Sequence, residues 1–256
     1  MIQGSGATGV DGEPGVQAVI FDWGGTLAPW VSMDELAGWR AFAEVLHPGD
    51  PELAARVAAA LLAAEVGRWG RVRTESRAFR LEQVLADATA ALTEAGYPEV
   101  PYHDGALAAF REACTVVTHT RPEAAAMLAE LRGRGLALGV LSSTGWPGQW
   151  HEDFLRRDGV LGLFDACVWS SDLEWTKPHP AAFEAAMHAV GVSDPRACVY
   201  VGDRLYDDIF GANRIGMRTV FVPHSVLPPE QVVQVDVRPD AVLDKLSDLP
   251  AILADW

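Results

Sequence analysis

What is scarce in this chain narrows its reading first. Only two of its 256 residues are lysine, Lys177 and Lys245, and acidic residues outnumber basic ones 35 to 20, for a formal charge of -15. Proteins drawn to nucleic acid or to an anionic membrane by long-range attraction carry the opposite sign. Neither partner is expected, and an anionic substrate has to be held locally, by a metal or a few cations. The three cysteines, Cys114, Cys167 and Cys198, follow no metal-ligand spacing. Two of them lie in apolar segments, where cysteine packs as a small hydrophobe, so a reduced, cytoplasmic setting is expected. No apolar run approaches the roughly 18 residues that a membrane-spanning helix requires. Residues 1–15 are rich in glycine, with neither a basic start nor an apolar stretch, and read as a flexible tail rather than a signal peptide.

What is present is ordinary for a globular protein: 49% hydrophobic and 21% charged residues. Five short apolar runs rich in branched residues are read as strands: Val16 to Phe21, Leu136 to Leu141, Ala166 to Trp169, Cys198 to Val201 and Thr219 to Val222. Helical spacing occupies Pro122 to Arg132, Gln149 to Arg157, Pro180 to Val190 and Asp207 to Ile215. Strands alternating with helices predict an α/β fold, a parallel sheet with helices on both faces. In such sheets ligands bind beyond the carboxyl ends of the strands, which is where Asp22, Ser142 and Asp203 fall. From Trp30 to His119 the rhythm breaks into Ala- and Leu-rich helical stretches, such as Pro51 to Trp69, Glu75 to Ala95 and Asp104 to Cys114. The expected organisation is a discontinuous core, 16–29 and 119–256, with a small all-helical cap, 30–118, above the first strand's end.

Four segments carry chemistry. Asp22 leaves the first strand into Trp23-Gly24-Gly25-Thr26, a turn in which a rigid carboxylate meets closely approaching backbone amides. Such a carboxylate can act as a nucleophile, although Asp-x-Gly-Gly also makes plain turns. Ser142-Ser143-Thr144-Gly145 places hydroxyls at a second strand end, or supplies a helix cap. Lys177, before Pro178-His179-Pro180, can neutralise charge on a transferred group, or form a surface ion pair. Asp203, with Asp207 and Asp208 close behind, gathers hard oxygen ligands suited to Mg²⁺, though Asp207 also suits an exposed helix start.

In this order the segments resemble the four motifs of the haloacid dehalogenase superfamily, over Val16 to Leu27 and Pro122 to about Val222, and the helical insert resembles that of its subgroup with a cap after the first strand. The resemblance implies a Rossmann-like three-layer core and a Mg²⁺-dependent hydrolase, foremost a phosphatase of a small phosphorylated metabolite. It implies that Asp22 forms an aspartyl-phosphate. Ser142, with Ser143 and the turn amides around Gly25 and Thr26, would hold phosphoryl oxygens, and Lys177 would steady nucleophile and phosphate. Asp22, the Gly24 carbonyl, Asp203 and Asp208 would hold the metal. The oligomeric state is not legible.

One departure stands out. Family phosphatases place a second aspartate two residues after the nucleophile, to protonate the leaving alcohol; here that residue is Gly24. General acid–base catalysis is typically worth about 10²–10⁴ in rate. Three alternatives follow: a leaving group that needs no proton, as in haloacid or phosphonate hydrolysis; a proton from elsewhere, with His47, His103, His119, His151 and His179 as candidates; or a non-catalytic descendant that binds a phosphorylated ligand or a partner. Phosphonoacetaldehyde hydrolases resemble the Asp22-Trp23 turn but rely on a cap lysine, and this insert has none. The Arg-rich stretch Arg68 to Arg80 reads as a solvated helix face or as a grip on an anionic tail. Trp30, Trp39 and Trp69 are expected to pack the insert.

Overall fold

The computed structural model describes residues 14–30, 34–115, 118–225 and 232–256. Most of the tail expected over 1–15 lies outside the described residues. Six strands, β1 (Ala18–Phe21), β2 (Ala137–Ser142), β3 (Ala166–Trp169), β4 (Cys198–Gly202), β5 (Arg218–Phe221) and β6 (Ala241–Val242), form one parallel sheet in the order β3-β2-β1-β4-β5-β6. The order reverses direction at β1, which makes the crevice above β1 and its neighbours the natural ligand site. Phe21 pairs with Val140 on one side and Val201 on the other. Asp22, Ser142 and Asp203 therefore leave the sheet from three adjacent strands at nearly one level.

Strands covered on both faces need apolar residues at every position, and β1 and β4 are wholly buried. Alternation then assigns the faces. Val19, Phe21, Val199 and Val201 pack with Leu128, Phe154 and Leu249, whereas Ala18, Ile20 and Tyr200 pack with Phe183 and Met187. Two helical layers on one sheet result.

Between β1 and residue 118 the described residues form four helices and no strand: α1 (Glu35–Leu46), α2 (Pro51–Glu75), α3 (Leu81–Glu94) and α4 (Asp104–Cys114). Asp50 caps α2 by accepting from the Leu53 amide, and proline opens the helix. Helix α2 runs beyond the expected Trp69 because its end is set by Ser76, which is left-handed (φ 54°) and returns its N–H to Val72. The helix expected from Glu75 therefore starts only at Leu81, where the Gln83 side chain accepts from the Arg80 amide. The block is joined to the core through aromatic rings: Phe110 lies 4.3 Å from Trp39, 5.9 Å from Trp146 and 6.2 Å from Trp150, centroid to centroid.

The core helices are α5 (Ala124–Gly133), α6 (Gly148–Arg157), α7 (Pro180–Ala189), the short α8 (Gly211–Asn213) and α9 (Leu249–Leu253). The helix expected over Asp207 to Ile215 instead begins as a π-helical turn, Leu205–Phe210. Its wide first turn bonds the Ile209 amide back to the Arg204 carbonyl, and the Arg204 amide donates to Asp208 Oδ2 at 2.9 Å. Asp208 is thereby folded back beneath the end of β4. Strand β6 was not expected; two residues are too few to show a pattern. Among the described residues no helix is long and apolar enough to cross a membrane.

Candidate active site

Asp22 is fixed from both ends of its side chain and backbone. Its amide donates to the Val201 carbonyl at 2.8 Å, and its Oδ1 accepts from Ser142 Oγ at 3.2 Å and from Lys177 Nζ at 2.7 Å. Lys177 also donates to Asp208 Oδ1 at 2.6 Å and to the Tyr200 hydroxyl at 3.0 Å, and that hydroxyl donates to the Leu141 carbonyl. The three donors of the ammonium are all used. Burial alone would lower the Lys177 pKa, but the Asp208 and Asp22 carboxylates outweigh it and hold the group protonated, well above the ordinary lysine value. Burial pushes the Asp22 carboxyl upward while Lys177 pulls it down.

Asp22, Asp203 and Asp208 each present one oxygen within 4.8 Å of the others. Asp203 is 5% exposed, and both its carboxylate oxygens are buried without a hydrogen bond. Burial, followed by the Asp22 and Asp208 charges, raises its pKa to about 8. An orphaned buried carboxylate is costly unless a cation meets it, and three hard oxygens suit Mg²⁺ or a similar ion. The turn is shaped around this group. Gly25 is left-handed (φ +97°), and a Cβ there would collide with the Asp203 carboxylate and the Ser225 hydroxyl. Only glycine meets both conditions.

Above the carboxylates lies a cavity of about 480 Å³, shared between core and helical block. The core contributes Asp22, Gly24, Ser142, Ser143, Lys177 and Arg204; the block contributes Glu35, Glu65, Trp69, Arg73 and Phe110. Ser143 Oγ accepts from Thr176 Oγ1 at 2.7 Å. Gly25 and Thr26, expected among the phosphate contacts, lie behind this wall rather than on it. The Gly25 amide is spent on the Ala28 carbonyl at 2.8 Å, which closes the turn, and the Thr26 side chain is fully buried.

Of the five histidines considered, only His151 lines the cavity. It bonds Thr144 Oγ1 through Nε2 at 2.9 Å and stacks on Trp169 and Trp146. Burial lowers its pKa to about 3, so it is neutral at pH 7 and carries no proton to donate as an acid. His103 and His179 cap helices, and His119 meets Asp158 at 3.3 Å. The Arg-rich stretch is mostly spoken for locally. Arg68 and Arg71 pair with Asp87, Arg77 with Glu174, and Arg80 donates to the Ser171 carbonyl, leaving Arg73 as the member of this stretch that faces the cavity. Trp39 packs fully buried as expected, whereas Trp30 and Trp69 line the cavity.

Sequence reading passed over Glu65. It lies on the buried stripe of α2, after Ala54, Val57, Ala58 and Leu61, is 6% exposed, and accepts from Trp39 Nε1 at 2.7 Å. Burial, opposed by the Trp39 hydrogen bond and supported by the charge of Glu35, raises its pKa to about 7. The signal was available: a lone carboxylate on an apolar helix stripe. Tyr200, inside an apolar run, gave no comparable sign.

The comparisons agree with this architecture. A family model for haloacid dehalogenase-like hydrolases matches residues 16–216. The chain belongs to this family. As a member of the haloacid dehalogenase-like hydrolases it is a hydrolase. It is 30% identical over 235 residues to a glyceraldehyde 3-phosphate phosphatase of Methanopyrus kandleri, covering 91% of this chain and 95% of that protein. It is 26% identical over 269 residues to a phosphonoacetaldehyde hydrolase of Pseudomonas fluorescens, with 94% and 92% covered. Its fold superposes on a 2-haloacid dehalogenase of Pseudomonas syringae pv. Tomato with a TM-score of 0.63 and 27% identity, covering 94% and 99% of the two chains.

Proposed function

We propose that this haloacid dehalogenase-like hydrolase is a Mg²⁺-dependent phosphatase of a small phosphorylated metabolite, working through a phosphorylated Asp22. The observation that carries the reading is the pairing of a lysine-bound carboxylate on the cavity floor, Asp22, with Asp203 in the same acidic cluster, buried and without a hydrogen-bond partner. Support comes also from the phosphatase of Methanopyrus kandleri, which aligns along nearly its whole length.

The residues present fit a divalent ion. Asp22, Asp203 and Asp208 would hold it, with the Gly24 carbonyl at the cavity wall as a further donor. Bound there, Mg²⁺ supplies charge neutralisation for phosphoryl oxygens and for the crowded carboxylates. The chain's own groups do the rest. Lys177, held protonated, positions Asp22 Oδ1 and adds positive charge where the phosphoryl group arrives. Ser142 bonds the same oxygen, and Ser142 and Ser143 offer hydroxyls at the cavity floor. Helices α1–α4 act as a cap, excluding water and setting which leaving group fits. A cavity of about 480 Å³ admits a small metabolite rather than a polymer.

Two other chemistries of related proteins fit less well. Imine formation of the phosphonoacetaldehyde type needs a neutral lysine amine in the cap. The helical block contains no lysine, and Lys177 is locked between two carboxylates. Dehalogenation needs no divalent ion, and Asp203 would then stay buried without a partner.

Steady-state assays with acetyl phosphate, aryl phosphates and 2-chloropropionate, with and without Mg²⁺, test the reading. Turnover of the phosphates that requires Mg²⁺ and disappears in Asp22→Asn is expected. Activity confined to the chlorinated acid, or none at all, rules the phosphatase out.

A further inference from the structure

The site leaves one chemical task unassigned. When an alkyl phosphate is cleaved, the departing oxygen needs a proton in or near the transition state. The groups that touch Asp22 do not supply it. Lys177 is held charged by Asp22 and Asp208, Ser142 is an unactivated hydroxyl, and Gly24 has no side chain. Across the cavity the residue to examine must be acidic, protonatable near neutrality, rigid, and directed at the space above Asp22.

From the geometry of this cavity we infer that Glu65 is the proton donor to the leaving group and, in the second half of the reaction, the base that activates water. This rests on the phosphatase reading above and assigns a role within that site. Glu65 lines the same cavity as Asp22 yet is nearly sealed from bulk solvent. Its Oε2 is pinned by the indole of Trp39, which is itself fully buried and packed against Phe42 and Phe110. Among the described residues no cation lies within ion-pair distance of it. Asp207, also on the cavity wall, is paired with Arg204 at 3.7 Å, and Glu35 is the more exposed of the two cap carboxylates. Glu65 thus combines a fixed position with indole donors, from Trp39 and Trp69, but no cation to favour its ionised form.

The steps balance. Asp22 Oδ attacks phosphorus as the bond to the leaving oxygen breaks. That bond's electron pair stays on the leaving oxygen, which takes the Glu65 proton, giving an alcohol, phospho-Asp22 and a Glu65 carboxylate. The carboxylate then takes a proton from water as the water oxygen attacks phosphorus, releasing phosphate and restoring Asp22 and protonated Glu65. Burial places the Glu65 pKa at about 7, near working pH, as efficient acid–base catalysis requires. The groups facing it are Glu35 from α1, Cys114 from α4, whose thiol is pushed up to about 12, and Arg73 on its own helix.

The test is Glu65→Gln, which keeps an acceptor for Trp39. Wild type and variant are assayed with Mg²⁺ on phenyl phosphates of graded leaving-group acidity, from 4-nitrophenyl to phenyl, and on benzyl phosphate. If Glu65 protonates the leaving group, the loss in kcat is smallest with 4-nitrophenyl phosphate and grows along the series to roughly 10²-fold or more with benzyl phosphate. The decline of kcat/KM above neutral pH is also lost. Gly24→Asp offers the rescue. No atom lies within 4 Å of a Cβ at that position, so the second variant can be built into Glu65→Gln and should restore benzyl phosphate turnover. Equal losses along the series, or no loss, overturn the inference and leave the phosphatase reading standing. Wild type without Asp22- and Mg²⁺-dependent turnover of 4-nitrophenyl phosphate overturns both.

Discussion

Replacing Asp203 with asparagine separates the electrostatics of the acidic cluster from its packing. The unfolded carboxyl ionises near pH 3.8, whereas the folded one, raised by burial and by Asp22 and Asp208, ionises at about 8. Between those values the folded chain binds more protons than the unfolded chain, so the linkage term lowers stability as pH rises through this window. At about 1.4 kcal/mol per pKa unit, the ceiling of this penalty at pH 7 is about 4 kcal/mol. Asparagine keeps the shape and abolishes the ionisation. Without Mg²⁺, Asp203→Asn is therefore expected to melt above wild type at pH 7–8, at about 2–4 °C per kcal/mol for a chain of this size, and close to it near pH 4. Glu65 and Asp207 are raised too, to about 7 and about 6, and tilt both proteins alike. The informative quantity is the difference between the two melting curves across pH. Mg²⁺ at 100 times its Kd stabilises by about 2.7 kcal/mol, and this gain is expected for wild type and largely lost in the variant. Calorimetry with and without Mg²⁺ decides the matter. A variant that melts lower at every pH, or that keeps the full Mg²⁺ shift, refutes the electrostatic reasoning.

Two further outcomes are accessible to the same instruments. Gly25→Ala adds a left-handed non-glycine residue, worth about 1–3 kcal/mol, and drives a methyl group into Asp203; a lower melting temperature and a weaker Mg²⁺ response are expected together. His151 is buried neutral with a folded pKa of about 3, against 6.5 unfolded. The unfolded chain therefore binds more protons between these values, and stability present above pH 6.5 is lost as pH falls, by about 2 kcal/mol from pH 7 to 5. Urea titrations of wild type and His151→Gln should show this acid-side loss only in wild type.

Much of the core was legible because its strands read as continuous branched runs, four of the five ending in a polar residue. Asp22, Ser142 and Asp203 could be selected for that reason, Lys177 as one of two lysines before a proline-marked helix start, and Asp208 by its nearness to Asp203; folding brings them to one place. Long-range pairing was not legible. Nothing local in the sequence says that Lys177 spends its three donors on Asp22, Asp208 and Tyr200. The boundary between α2 and α3 was missed because Ser76 takes a left-handed conformation that serine seldom adopts. The turn amide of Gly25 looked free in sequence but closes its own loop on Ala28. Glu65 was passed over in an alanine-rich helix although it stands as a lone carboxylate on the apolar stripe that packs α2 against its neighbours α1 and α3.

The most direct test concerns the bond made by Asp22. Wild-type protein is mixed with Mg²⁺ and acetyl phosphate, quenched in acid within the first turnovers, and digested for peptide mass spectrometry. The expected result is one added phosphoryl group on the peptide containing Asp22, absent in Asp22→Asn. Phosphate release at a normal rate with no labelled Asp22, or with undiminished activity in Asp22→Asn, would contradict covalent catalysis by this carboxylate.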